Sequence, residues 1–299
     1  MPQVIESRLT GGPLLKNTTG RIEVTVYVDG TATAADSGTP TITVTRSDGT
    51  ALATAQNVTT SVAGVLYYDL TPAQCNRLDT LTAEITGTWS AGTQVFTHTV
   101  EVRGAHLFTV AEARAFDAAA LASTSTYPTG AILDERERIA AVLEEWTGIS
   151  WIPRHERVTL PGTGSPDLAL PHRFVTQVIA ATIGTTSVST TDITIKETPG
   201  VLTYEAASGW TKPQASNPQN VTVEYVHGRD PRYTGADRIA LLLLRDRLVK
   251  SDIPESALSV AGEYGSISLV QPGGPMRNVS RIPEVNAWVA LHRIEAPVA

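Results

Sequence analysis

"EEWTGISWIPRHERVTLPGTGSPDLALPHRFVTQV", Glu144–Val178, changes period twice within thirty-five residues. It opens as the end of an amphipathic helix, and Gly148 stands where a left-handed glycine stops one. From Trp151 the residues alternate as in a strand. Pro161-Gly162-Thr163-Gly164-Ser165-Pro166-Asp167 then reads as the tight turn of a β-hairpin, with more strand beyond. Because no helix follows the Gly-Thr-Gly step, it lacks the helix N-terminus that a phosphate cradle needs. The stretch therefore predicts helix running into a β segment over about 151–227.

On the N-terminal side the alternation is almost unbroken. "RIEVTVYVDG" sets Ile22, Val24, Val26 and Val28 against polar neighbours and stops at Asp29-Gly30. "TPTITVTRSDGT" repeats the device and ends at Asp48-Gly49. Further strands at this spacing predict an all-β immunoglobulin-like sandwich over residues 1–104. Thr71–Leu78 reads as a short helical turn crossing between sheets, with Cys75 as a small buried hydrophobe. Arg103–Phe108 marks the junction.

On the C-terminal side, helices are expected at about 109–121, 131–147, 235–251 and 283–294. In the second of these, Ile139, Val142, Leu143 and Trp146 share one face. Glu135, Arg136, Glu137, Arg138, Glu144 and Glu145 read as its solvated side. The run Ile239–Leu244 makes the third helix apolar nearly all round, which calls for burial from more than one side. Ile239, Leu242, Leu243, Arg245 and Arg247 are accordingly the candidate subunit interface. The Gly/Ser/Pro-rich stretch Ala257–Pro283 reads as a loop long enough to let the closing segment swing. That segment offers Arg281, Val285, Trp288, Val289, His292 and Arg293 as a candidate docking face. Packing of Trp288 onto its own domain is the competing reading.

Chemistry is sparse. Cys75 is the only cysteine, so neither an intrachain disulfide nor a cysteine zinc site is available. Six histidines show no HExxH or i, i+4 spacing, so no metal is expected. His155 and Glu156 are neighbours on a strand and point to opposite faces, which suits solvated polar residues better than a catalytic pair. No nucleophile elbow or P-loop appears. Neither a catalytic residue nor a cofactor is expected. Residues 1–103 hold six Lys/Arg against nine Asp/Glu and the remainder seventeen against twenty-one, so neither half has a nucleic-acid binder's basic excess. The N-terminus lacks a basic and an apolar signal region, and no apolar run reaches membrane-spanning length, so a soluble protein of a reducing compartment is expected.

Four local signatures come in a telling order: "ERERIAAVLEEWTGISWIPR", "RVTLPGTGSPDLALPHRFV", "NVTVEYVHG" leading to "DPRYTGADRIALLLLRDRLV", and the closing helix with Trp288. Together they resemble the head-to-tail adaptor (connector) proteins of long-tailed bacteriophages over about residues 105–299. The resemblance implies that the sandwich is followed by a second domain, 105–299, an α+β, mainly helical connector domain with a β-hairpin insertion. It also implies a virion structural protein, assembled in the host cytoplasm as a dodecameric ring in the neck. The expected partners are the portal protein, a tail-side stopper or neck protein, and genomic DNA passing through the channel without sequence-specific binding. The N-terminal sandwich departs from the minimal adaptor pattern. Alternatives remain open: another phage neck, tail or baseplate structural protein, or a carbohydrate-binding module joined to an enzyme domain.

Overall fold

Alternation of apolar and polar side chains carries the first hundred residues into strands. The computed structural model describes residues 4–10, 12–89, 92–205, 209–212, 219–249, 259–262, 265–268 and 279–294. Ten strands come first: β1 (Ile5–Leu9), β2 (Leu14–Leu15), β3 (Gly20–Val28), β4 (Thr31–Ala32), β5 (Ser37–Thr45), β6 (Ala51–Asn57), β7 (Thr59–Val62), β8 (Val65–Leu70), β9 (Asp79–Trp89) and β10 (Gly92–Arg103). They form two five-stranded sheets, ordered β1-β3-β8-β7 with β4 on β3, and β2-β10-β9-β5-β6. All pairings are antiparallel except β2 with β10.

Inward residues of both sheets meet in one core. Ile22, Val24 and Val26 of β3 share it with Ile42 and Val44 of β5 and with Leu81, Ala83 and Ile85 of β9. Trp89 and Cys75 are buried there too. Asp29-Gly30 makes a two-residue hairpin between β3 and β4, with both residues at positive φ (49° and 79°), as a primed turn requires. Thr71–Leu78 forms hydrogen-bonded turns rather than a helix, with the Cys75 N–H donating to the Thr71 carbonyl.

The middle of the chain overturns the expected class. After α1 (Val110–Ala119) and α2 (Thr129–Thr147) come seven strands: β11 (Arg154–Leu160), β12 (Asp167–Ala169), β13 (Val175–Ile183), β14 (Thr186–Val188), β15 (Ile193–Lys196), β16 (Val201–Tyr204) and β17 (Val221–His227). They build a four-stranded sheet, β11-β17-β13-β14, and a three-stranded one, β12-β16-β15. These sheets share a second core around Trp210, Tyr225, Val223 and Leu202. An immunoglobulin-like sandwich followed by a mainly helical connector domain with a hairpin insertion therefore does not describe this chain. It is mostly β, with nineteen strands against four α-helices among the described residues. What reads in sequence as an insertion between helices is a two-sheet body with its own buried aromatics.

Nor is the Gly162–Gly164 turn a hairpin. β11 pairs with β17 and β12 with β16, so the turn passes the chain from one sheet to the next. It packs on a distant segment: a Cβ on Gly162 would lie 1.9 Å from the Thr211 carbonyl oxygen, and the Gly164 N–H donates to the Trp210 carbonyl. Long-range pairing has overridden the local turn signal.

The chain forms two compact units, with one division at 105/106, beside the sequence-level boundary near 104, and two more around the segment 153–228. One joins residues 1–105 with 153–228, and the other joins 106–152 with 229–299. In the first, β11 lies against β9 and β10.

The second unit holds α1, α2, α3 (Ala236–Leu248), the hairpin of β18 (Ser259–Gly262) with β19 (Gly265–Ser268), and α4 (Pro283–His292). Most of the expected loop 257–283 lies outside the described residues. Thr109 caps α1 through a capping box with Glu112, but Phe116–Ala118 leave helical geometry, so the continuous helix expected over 109–121 is kinked. Gly148, at φ +72°, ends α2. The face of α2 read as solvated is partly buried. Glu135 accepts from Arg138 and Arg247, and Arg136 donates to the Phe108 carbonyl. Ile139 and Leu143 of α2 are buried, as are Ile239, Ala240, Leu243 and Leu244 of α3, against which it packs.

Candidate functional site

Strand alternation places two ionisable clusters on opposite faces of the β11–β17 pair. His155 and Glu224 project from one face, while Glu156, Tyr225 and His227 project from the other.

The first cluster is Asp79, His155 and Glu224, all buried. Burial corrects the expectation of a solvated His155. Its Nε2 lies 2.9 Å from Glu224 Oε1, and its Nδ1 lies 3.2 Å from Thr80 Oγ1. Asp79 accepts from Arg46 Nη1 at 2.9 Å, Arg77 Nε at 3.0 Å, and the backbone N–H groups of Ser47 and Thr80. The Ser47 hydroxyl lies 2.7 Å from Asp79 Oδ1 and 3.1 Å from Glu224 Oε1. Arg157 Nη1 donates to the Ser47 carbonyl. Burial pushes the Asp79 carboxyl upward, but the bonds from Ser47, Arg77 and Arg46 outweigh it and hold it below the usual range. The His155 bond likewise holds Glu224 low against burial.

Thr80, His155 and Glu224 have the connectivity of a nucleophile, a base and an orienting acid. Their setting does not suit that use. The His155 side chain is fully buried, and Glu224 is shared with Ser47 and sits 4.0 Å from Arg77 Nη2. A substrate would have to displace the protein's own partners. The arrangement acts as a polar clasp that ties the loop after β5 and the start of β9 to β11 and β17.

The second cluster is Glu156, His172 and His227. His227 is buried, and the other two are half-buried. The His172 and His227 rings stack at 4.0 Å with planes 16° apart, and His172 Nδ1 lies 2.7 Å from the Tyr225 hydroxyl. Burial drives the His227 imidazole down to about 3, with nearby His172 and Arg154 adding to the shift. Burial raises the Tyr225 phenol, which keeps it a hydrogen-bonding O–H.

Two backbone features hold His172 in place. Gly200, at φ +70°, approaches so closely that a Cβ would lie 2.1 Å from the His172 carbonyl oxygen. Phe174, at φ 56°, accepts from the Gly228 N–H, which fastens this turn to the end of β17.

No family model matches the chain, and no curated protein sequence matches it. Among solved structures, a DUF4785 family protein of Legionella pneumophila aligns at a TM-score of 0.24 and 6% identity. The alignment covers 77% of this chain and 45% of that one, so the chain spans less than half the length of that protein.

The candidate docking residues are largely engaged within their own unit. Arg281 Nε donates to Asp246 Oδ1 at 2.7 Å, and Val285 and Val289 are buried. Trp288 donates its indole N–H to the Thr234 carbonyl at 3.0 Å and lies against Trp151 at 4.6 Å. His292 Nδ1 lies 2.9 Å from the Trp288 carbonyl oxygen, while Arg293 and Leu291 are exposed. Of the candidate interface residues, Ile239 and Leu243 are buried and Leu242 is half-buried. Arg245 pairs with Asp117, and Arg247 with Glu135. No helix among the described residues is long and apolar enough to cross a membrane.

Sequence reasoning overlooked both clusters. His155 and Glu156 do face opposite ways, but each face brings in partners from far along the chain. The available signal was the two-residue spacing of Tyr225 and His227, and it becomes informative only once 154–160 is registered against 221–227.

Proposed function

We propose that the chain is a structural protein of a bacteriophage neck, a head-to-tail adaptor that assembles as a ring, twelvefold in the family it resembles. Such a ring binds the portal protein on one side and a stopper or neck protein on the other, in the virion between capsid and tail. Genomic DNA passes through it without sequence-specific binding. One observation carries the reading: the order of elements behind the resemblance. A helix stopped at Gly148 runs into β11, the strand β17 leads to α3, and α4 closes the unit.

Two further features support it. The buried charges of the Asp79 cluster are spent on one another, as suits architecture better than turnover. The net charge of −7 lets a passage carry DNA without trapping it, since DNA affinity comes mainly from neutralised phosphates. With Val285 and Val289 buried and Trp288 half-buried against Trp151, Leu291 and Arg293 are among the exposed residues that the closing segment offers a partner.

Negative-stain microscopy of the purified chain, alone and mixed with portal, tests the proposal. Rings, alone or stacked on portal, are expected. A monomer that neither forms rings nor co-sediments with portal overturns it. Binding to tail or baseplate components instead would move the chain to another place in the virion.

A further inference from the structure

The Glu156 cluster gathers three donors from three separate places. Glu156 comes from β11, His172 from the turn before β13, and His227 from the end of β17. One potential ligand atom from each lies within 4.8 Å of the other two. A tetrahedral zinc with bonds of about 2.0–2.1 Å holds its ligand atoms about 3.3 Å apart. Closing the set therefore takes shifts on the order of 1 Å, within reach of side-chain rotation.

We infer that Glu156, His172 and His227 form a binding site for a divalent transition-metal cation of the zinc class. His227 is the fixed member, buried and held among the described residues by ring contacts with His172 and Tyr225. His172 and Glu156 are half-buried. Tyr225 at Nδ1 leaves the other ring nitrogen available and acts as the outer partner that metal-bound histidines ordinarily have. Two imidazoles and one carboxylate suit zinc, whereas calcium and magnesium favour all-oxygen sets. Three protein ligands leave a fourth position for water.

Arg154, across from His227 in the β11–β17 register, has its Nε 3.5 Å from the Glu101 carboxylate, which offsets its charge near a cation. The other three-donor cluster is a poorer host. Asp79 and Glu224 already receive Arg46, Arg77 and Ser47, and a cation there would have to displace guanidinium groups. The inference is independent of the neck reading.

The test is titration of the chelator-treated full chain with Zn²⁺ by calorimetry, and with Co²⁺ by visible absorption. One ion per chain is expected, with cobalt giving the intense bands of four-coordination. Glu156→Gln and His172→Gln, each confirmed folded by circular dichroism, should weaken zinc binding by more than about 100-fold. Tyr225→Phe should weaken it by about 10–100-fold, the range for an outer partner. His98→Gln, on β10 beside Ser7 and outside the cluster, should leave binding unchanged. Absence of stoichiometric binding by the wild-type chain overturns the site, as does wild-type affinity retained in both folded ligand variants.

Discussion

His155 and Glu224 stand 69 residues apart in the chain and meet with Nε2 2.9 Å from Oε1. The contact lies deep inside the β unit, where Ser47 links Glu224 to Asp79, and Arg46 and Arg77 converge on Asp79. Because Asp79 is fully buried and Arg46 nearly so, each member depends on the others for charge balance.

Asp79→Ala should therefore be costly. Removing one partner of a buried ion pair leaves an uncompensated charge and costs about 3–5 kcal/mol. Urea unfolding followed by circular dichroism should show the extrapolated unfolding free energy falling by that amount. A change below about 1 kcal/mol would mean that the clasp adds little to stability.

Acid should weaken the fold through the same carboxylates. Asp79 and Glu224 are held low in the folded state, and Asp48 is lowered to about 2 by its Thr50 and Arg77 bonds despite an opposing burial effect. A depressed folded value means stability that is fully present above the unfolded carboxylate value of about 4 and lost as pH falls through the folded one. The urea midpoint should thus decline from about pH 4 toward about 2. The Asp79→Asn/Glu224→Gln double variant should show a shallower decline, and an unchanged slope would remove these groups from the account.

Glycine at 200 is required twice, once for its backbone angle and once for space. Gly200→Ala forces a left-handed alanine, costing about 1–2 kcal/mol, and drives a Cβ to 2.1 Å from the His172 oxygen. Gly49→Ala, at φ +87° with nothing within 4 Å, meets only the first cost. Thermal unfolding should rank Gly200→Ala clearly below Gly49→Ala. Equal losses would show that the His172 turn yields easily.

Trp288 should matter to stability before it matters to any partner. Its ring lies on Trp151 and its N–H is satisfied by Thr234, so Trp288→Ala should cost about 3 kcal/mol, the low end for large aromatic truncations. Trp288→Phe keeps the ring contact and should lose only about 1 kcal/mol for the hydrogen bond. A folded Trp288→Ala variant with wild-type stability would restore the segment as a free docking element.

By itself the sequence determined what depends on near neighbours. The alternation through β3, β5 and β9, the Asp29-Gly30 hairpin, the Thr109–Glu112 capping box and the helix stop at Gly148 all rest on interactions within a few residues. Only the tertiary structure decided the class of the middle region, the path of the Gly162–Gly164 turn and the membership of both ionisable clusters. Each depends on strand pairs drawn from opposite ends of a long segment, β11 with β17 and β12 with β16. Alternation states which residues share a face, but not which strand that face will meet. That choice is made by burial of Trp210 and Tyr225 in a common core, a cooperative term that no local window contains.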